Sequence, residues 1–406
     1  MLRKFIYGLC LVALLVIAGG YGYLHTKLPQ RSGEIVLPGL KHKVQVLFDE
    51  WAVPHIEAQN EHDAYLALGY LHAQDRLFQL ELMIRVAQGR LSEILGEDML
   101  DADRYFRTLG ISRFAETYAK DYFHKNPQNV KDALKAYLSG LNAFVSGGPA
   151  PIEFTLLGIP KREYTIKDLI SIGVYMSYTF TNAVRQDPLL SYIHNTFGAG
   201  YLKDLAVYWP KDDTKIDVSS KSSGSELELA ELSFEIANAI SQAPPFFGSN
   251  AWAVSGSRTK SGKVILANDP HIGYAAPSTW YEAHLKTPDW ELYGHHIAGI
   301  PFAIIGHNRR MAWGVTMLQN DDLDFYLERS NPDNPDQVWF RDDWEDLRII
   351  EEAIPVRDRE DYPLRIRISR HGPVINDVLE PVKESFKQPV ALSWQMLSDF
   401  ENSTEQ

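Results

Sequence analysis

The feature that most constrains the fold is a change of hydrophobic periodicity on either side of Gly248-Ser249-Asn250-Ala251-Trp252. Before it, from about Glu61 to Gly147, apolar residues recur at helical spacing, through Leu66-Tyr70-Phe78-Leu82-Ile84 and again through Val130-Leu134-Tyr137-Leu141-Phe144. Gly147-Gly148-Pro149 with Pro151 breaks that pattern. A further helix is predicted over Ile166 to Phe180, with Thr165 as its N-cap. From Ala251 onward the reading changes. Trp252-Ala253-Val254, Val264-Ile265-Leu266-Ala267 and Phe302-Ala303-Ile304-Ile305 are short apolar runs bounded by Gly, Asn or Pro, which predicts strands. Leu347 to Ile375 carries further alternating strands, and no internal repeat is evident. Helices first and strands afterwards predict an α+β fold.

The junction itself carries chemistry. Upstream lies a polar, acidic stretch from Ser219 to Gln242, then Ala-Pro-Pro-Phe-Phe, then Gly248 and Ser249. Were the Gly248–Ser249 bond cut, Ser249 would bear both a hydroxyl and a fresh α-amine. An α-amine has an ordinary pKa of ~8, so it can serve as general base near neutral pH. One residue would then supply nucleophile and base together. Gly248 suits the cut, because without a Cβ it tolerates the strained backbone that an N-to-O acyl shift requires. On its own, Gly-Ser-Asn also fits an ordinary turn leading into a strand.

Bulk properties exclude several classes. The chain has 406 residues, 45% hydrophobic and 23% charged, enough for a sizeable core. With a net charge of −13 and no basic tract to neutralise phosphates, nucleic acid is not an expected partner. Met1-Leu2-Arg3-Lys4 followed by an apolar run to about Leu24 reads as an export signal, with Ala18 and Gly20 offering small residues for cleavage after Gly20. The run is also nearly long enough for an uncleaved anchor, so the membrane enters only through this segment. The single cysteine, Cys10, lies inside it and follows Leu9, which does not support a lipoprotein site. A mature chain would have no disulfide and no thiolate zinc site, which fits the Gram-negative periplasm. There is no G-x-S-x-G elbow, no H-E-x-x-H and no glycine-rich phosphate loop, and His295-His296 and His307 lack carboxylate partners at metal-ligand spacing.

Several blocks in a fixed order resemble the penicillin acylase family. They are Asp49-Glu50-Trp51-Ala52-Val53-Pro54-His55-Ile56, Ala67 to Arg76, Asn268-Asp269-Pro270-His271-Ile272, Pro277 to Leu285, Gly306-His307-Asn308, Ala312-Trp313-Gly314-Val315-Thr316 and Asp321-Asp322-Leu323-Asp324. The resemblance runs from about Leu37 to the end. It implies a four-layer αββα sandwich and a precursor that is exported and cut into α and β subunits, which stay together as a heterodimer. The implied organisation is 1–24 signal peptide or anchor, 25–215 α-subunit region, 216–248 spacer, and 249–406 the N-terminal part of the β subunit.

The same resemblance implies roles. Ser249 opens the β subunit, and the spacer ends at Gly248. Matching without gaps from Ser249 places an oxyanion-stabilising backbone N–H on Met317, a contribution worth several kcal/mol in such reactions. His271 is expected to orient the Ser249 amine and hydroxyl, and Asn250 to position the nucleophile. Met176, Phe180, Ile272 and Ile305 are expected to line an acyl pocket. There, Ile272 and Ile305 replace two phenylalanines, which favours an aliphatic acyl chain over a phenylacetyl group. The chemistry needs no cofactor. A structural Ca²⁺ would take oxygen donors from Asp321, the Leu323 carbonyl, Asp324 and, near it in the α region, Gln186. The second oxyanion donor, an Asn, and a site Arg fall downstream of Gln406. The expectation is therefore a C-terminally incomplete chain, or a truncated and catalytically silent periplasmic protein. The expected substrate is a small N-acyl amide, an acyl-homoserine lactone first and a penicillin or cephalosporin second.

Overall fold

The computed structural model describes residues 2–181, 190, 193–194, 197–204, 246–317, 322–379, 382–383 and 386–397. Most of the expected spacer (216–245), Gln186 and Asp321 lie outside them. Helix and sheet are both well represented, so the fold is α+β. The chain divides into two units, one of Met1–Glu81, Asn126–Ile166 and Trp280–Trp313, the other of Leu82–Lys125, Lys167–Thr279 and Gly314–Gln406.

The first unit begins with helix α1 (Leu2–His25), whose side chains from Arg3 to His25 are exposed. Arg3–His25 is long and apolar enough to cross a membrane, and an N-terminal signal sequence has the same character. Helix α2 (Glu61–Gln88) starts where the periodicity places it, because Asn60 caps it by accepting the Asp63 N–H at 2.9 Å. Its part in this unit packs against a helix over Gln128–Gly147 in unusually close approach. A Cβ on Gly69 would strike the Tyr137 carbonyl, and one on Gly140 would strike the Leu66 carbonyl.

The sheet of this unit has six strands: β1 (Gln45–Phe48), β2 (Pro54–Glu57), β5 (Trp280–Lys286), β6 (Glu291–Ile297), β7 (Ile305–Asn308) and β8 (Ala312–Trp313), in the order β1-β2-β5-β6-β7-β8. All pairs are antiparallel except β2 with β5, where His55 lies opposite His284. Tyr281, Ala283 and Leu285 on β5, and Leu292, Gly294 and His296 on β6, are buried at alternate positions.

Two imidazoles are buried in this core. His72 of α2 and His296 of β6 are both fully inaccessible, with ring centroids 5.8 Å apart. The Tyr137 hydroxyl accepts the Gly299 N–H at 2.9 Å and sits within hydrogen-bonding distance of His72 Nδ1, at 2.7 Å. Burial drives the His72 pKa well below its ordinary value, helped by the neighbouring His296 and Arg76. Burial likewise pulls His296 down to about 4. Both groups are therefore neutral when folded and protonated in the unfolded chain below its ordinary pKa of ~6.5. Their stabilising contribution is complete above ~pH 6.5 and is lost as pH falls through the depressed folded values, with His296 alone accounting for on the order of 3 kcal/mol. Urea midpoints measured between pH 7.5 and 4 should fall steeply, and less steeply in His296→Leu. Parallel curves would rule out this origin of acid sensitivity.

The second unit holds helices α3 (Ser92–Leu95), α4 (Leu100–Leu109), α5 (Ile111–Lys125) and, after α6 (Gln128–Gly147) and α7 (Ile152–Leu157) of the first unit, α8 (Ile166–Phe180). The bounds of α8 are those expected from the sequence. Asp103 on α4 is fully buried and accepts the Leu91 and Ser92 N–H groups at 2.8 and 2.6 Å, satisfying donors that open α3. Tyr105, Phe106, Tyr175, Tyr178 and Trp394 pack edge-on as an aromatic core. Its strands pair as β3 (Phe246–Val254) with β4 (Ile265–Ile272), β9 (Leu323–Leu327) with β15 (Val390–Trp394), and β10 (Gln337–Phe340) with β11 (Asp343–Asp346). β12 (Arg348–Ile354), β13 (Tyr362–Ser369) and β14 (Gly372–Pro373) form a three-stranded sheet, in the stretch where alternation predicts strands.

Three strand readings change. The strand expected at Trp252–Val254 begins at Phe246 and includes Ser249, and that expected at Val264–Ala267 continues through Asn268-Asp269-Pro270-His271 to Ile272. Phe302, Ala303 and Ile304 are not in a strand, which starts only at Ile305. The reason is that β3 and β4 are mostly half-buried or exposed, with Trp252 55% accessible. Ladder hydrogen bonds rather than apolar burial set their extent, so apolar runs underestimate them.

Candidate active site

The β3–β4 pair builds the site. Its register sets Gly248 opposite His271, Ser249 opposite Pro270 and Asn250 opposite Asp269. Pairing is irregular between Phe246 and Gly248, and Gly248 has φ 150°, a backbone that side chains rarely adopt. Pro270, lacking an N–H, gives the strand facing it no donor at Ser249. The strand runs continuously across Gly248–Ser249.

Four of the sequence-derived residues come together here. The Met317 N–H donates to the Ser249 hydroxyl oxygen at 3.0 Å, across 68 positions of sequence. The Asn250 amide nitrogen lies 3.3 Å from His271 Nε2, and the same ring nitrogen lies 3.2 Å from Asp269 Oδ2. These two compete. If His271 carries a proton on Nε2 it donates to Asp269, and if not it accepts from Asn250. The His271 Nδ1 lies over Gly248, 3.7 Å from where a Cβ there would sit.

The pocket and metal positions are more dispersed. Met176 and Phe180 lie one helical turn apart on α8, Met176 buried and Phe180 38% exposed. Ile272 ends β4, half-buried. Ile305 belongs to the other unit, where it opens β7 opposite His295. Leu323 and Asp324 are consecutive on β9, Leu323 buried against Trp394 in the ladder and Asp324 exposed. A carbonyl and a carboxylate are suitable donors for Ca²⁺. Among the described residues no group of three or more His, Cys, Asp or Glu could hold a metal.

One contributor was not singled out from sequence. Asn268 on β4 donates through Nδ2 to the Asn250 carbonyl at 2.8 Å and the Val315 carbonyl at 3.0 Å, and its Oδ1 accepts the Val315 N–H at 2.9 Å. Its only sequence signal is its place at the head of the Asn-Asp-Pro-His block.

Comparison with known proteins gives a consistent picture. The penicillin amidase family model matches residues 43–406. The chain is 35% identical over 375 residues to penicillin acylase 2 proenzyme of Pseudomonas sp. strain SE83, covering 88% of this chain and 47% of that protein. It is 28% identical over 394 residues to acyl-homoserine lactone acylase QuiP of Pseudomonas aeruginosa, covering 93% of this chain and 46% of that one. The chain thus spans just under half the length of these relatives. A solved structure of thermostable penicillin G acylase from Alcaligenes faecalis aligns with TM-score 0.32 at 27% identity, over 36% of this chain and 25% of that one.

Proposed function

Because the chain belongs to the penicillin amidase family, we propose that it is an exported amidohydrolase that cuts itself before Ser249 and then removes acyl chains from secondary amides. The observation that carries this is the Met317 N–H held 3.0 Å from the Ser249 hydroxyl oxygen, directly after a glycine in a side-chain-intolerant backbone. After the cut, the Ser249 amine takes the hydroxyl proton as the oxygen attacks the substrate carbonyl. The Met317 N–H stabilises the oxyanion that forms there. Collapse of the tetrahedral species expels the amine leaving group, which takes the proton back, and leaves an acyl-serine. Water, deprotonated by the same amine, then releases the carboxylic acid. His271 and Asn250 flank the nucleophile and hold the strand in which it sits.

The wider reading has a four-layer αββα sandwich, α and β subunits as a heterodimer, and the periplasm as its compartment, reached through the N-terminal helix. Met176, Phe180, Ile272 and Ile305 would line the acyl pocket. Leu323 and Asp324, with Asp321 and Gln186, would supply oxygens for a structural Ca²⁺ outside the chemistry. Ile272 and Ile305 favour an aliphatic acyl group, and with it acyl-homoserine lactones and quorum quenching. A β-lactam amide is the second reading, favoured by the 35% identical relative named as a penicillin acylase.

The test is the complete reading frame expressed in a periplasm. Intact masses should show a chain beginning at Ser249. Long-chain acyl-homoserine lactones should be hydrolysed at least ~10-fold better in kcat/KM than penicillin G, the discrimination a shaped apolar pocket can reach. The reverse order would make it a β-lactam acylase, and a folded, exported chain left uncut would sink the enzyme reading.

A further inference from the structure

We propose that Asn268 is a positioning residue that sets where the Met317 N–H lies relative to Ser249; this rests on the reading of Ser249 as nucleophile and Met317 as oxyanion donor. Residues 314–317 belong to no strand, so no ladder holds them beside β3 and β4. Among the described residues the Asn268 carboxamide ties this segment to β3 and β4 at Val315. Asn268 gives both amide hydrogens, to the Asn250 and Val315 carbonyls, and accepts the Val315 N–H. Its paired donation to and acceptance from Val315 copies what a neighbouring strand would offer. Seating the Val315 N–H on Asn268 fixes the backbone two residues before Met317, whose N–H is found 3.0 Å from the Ser249 oxygen. The same side chain holds the carbonyl of Asn250, the residue following the nucleophile, so donor and nucleophile are registered against one half-buried group.

Gly314 completes the fit. A Cβ there would sit 2.7 Å from Asn268 Oδ1 and 2.8 Å from its Cβ and Cγ, too close for any heavy atom. The chemistry requires a neutral amide. An ionised Asp would face two carbonyl oxygens with no hydrogen to give, and Leu would leave all three backbone groups unpaired.

The test uses the complete reading frame with Asn268→Ala and Gly314→Ala, the second displacing Asn268 while leaving it chemically intact. The probes are decanoyl p-nitroanilide for turnover and phenylmethylsulfonyl fluoride for Ser249 reactivity, where an O–S bond forms and fluoride leaves. Both variants should lose ~10- to 100-fold in kcat with KM within ~3-fold, and sulfonylation of Ser249 should slow in parallel, as expected for a donor misplaced by about 1 Å. Hydrogen exchange of the peptide spanning 314–317 should quicken at least ~10-fold when Asn268→Ala is added to an uncut Ser249→Ala chain. That comparison decides the matter even if neither variant matures. Unchanged exchange, or mature variants with unchanged kcat and sulfonylation, would overturn the proposal. Loss appearing only in the melting temperature or only in KM would also overturn it. Sulfonylation of the Ser249→Ala chain at the wild-type rate would instead sink the underlying reading of Ser249.

Discussion

Ser249→Ala should leave the precursor as one polypeptide and abolish amide hydrolysis, with a rate loss on the order of 10⁴-fold or more. The expectation follows from the double duty assigned to that residue. Alanine has no oxygen to attack the Gly248 carbonyl, so no new N-terminus forms and no amine base appears. The fold should hardly notice. Among the described residues the Ser249 hydroxyl accepts one hydrogen bond, from the half-buried Met317 N–H, and losing one such bond costs about 1 kcal/mol. Intact mass spectrometry, an acylase assay and a thermal melt of the same preparation separate the two effects. A well-folded alanine variant that is still cut before position 249, or that still hydrolyses amides, would remove Ser249 from both roles.

Gly140→Ala should destabilise the first unit by on the order of 3 kcal/mol or more, the upper end for overpacking. In a helix interior the same exchange ordinarily stabilises, by up to ~1 kcal/mol, so the sign rests on the contact. The added methyl would land on the Leu66 carbonyl, as one on Gly69 would land on the Tyr137 carbonyl. Both obstacles are helix backbone, which cannot rotate away as a side chain can, so α2 and α6 must part. Parting them loosens Leu66, Tyr137 and Leu141, all essentially buried, and stretches the Tyr137 hydroxyl from His72. Because one displacement relieves both clashes, Gly69→Ala and Gly140→Ala together should cost less than their sum. Gly173→Ala on α8, where a Cβ meets nothing within 4 Å, should stabilise and serves as the control. Denaturant midpoints measure all four chains, and a stabilised Gly140→Ala would mean the helices can separate freely.

The helices were legible because their information is local. Apolar residues three and four apart define the buried face of α6 whatever packs on it, and α8 lies where the sequence places it. The strands were legible only where burial alternates, as on β13. β3 and β4 are held by ladder bonds across a partly exposed surface, so their polar ends at Ser249 and His271 carried no strand signature. The parallel pairing of His55 with His284 was invisible for a stronger reason. It joins residues 229 apart, and nothing in either neighbourhood names the other.

The site divides along the same line. Ser249 could be named from the chain because a hydroxyl directly after a glycine suits one chemistry, and Asn250, His271 and Met317 because they match positions of the family the chain resembles. What sequence by itself determined is thus the helical frame, the glycine–serine junction, and the set of groups able to act there. Tertiary structure alone decided that the Met317 N–H reaches the Ser249 oxygen, that the His271 imidazole lies beside Asn250 and Gly248, and that Asn268 ties the segments together. Asn268 meets its partners 18 and 47 residues away, and an asparagine in mid-strand advertises neither. A hydrogen bond is a relation between positions in space, and a linear sequence states only which groups are available to make it.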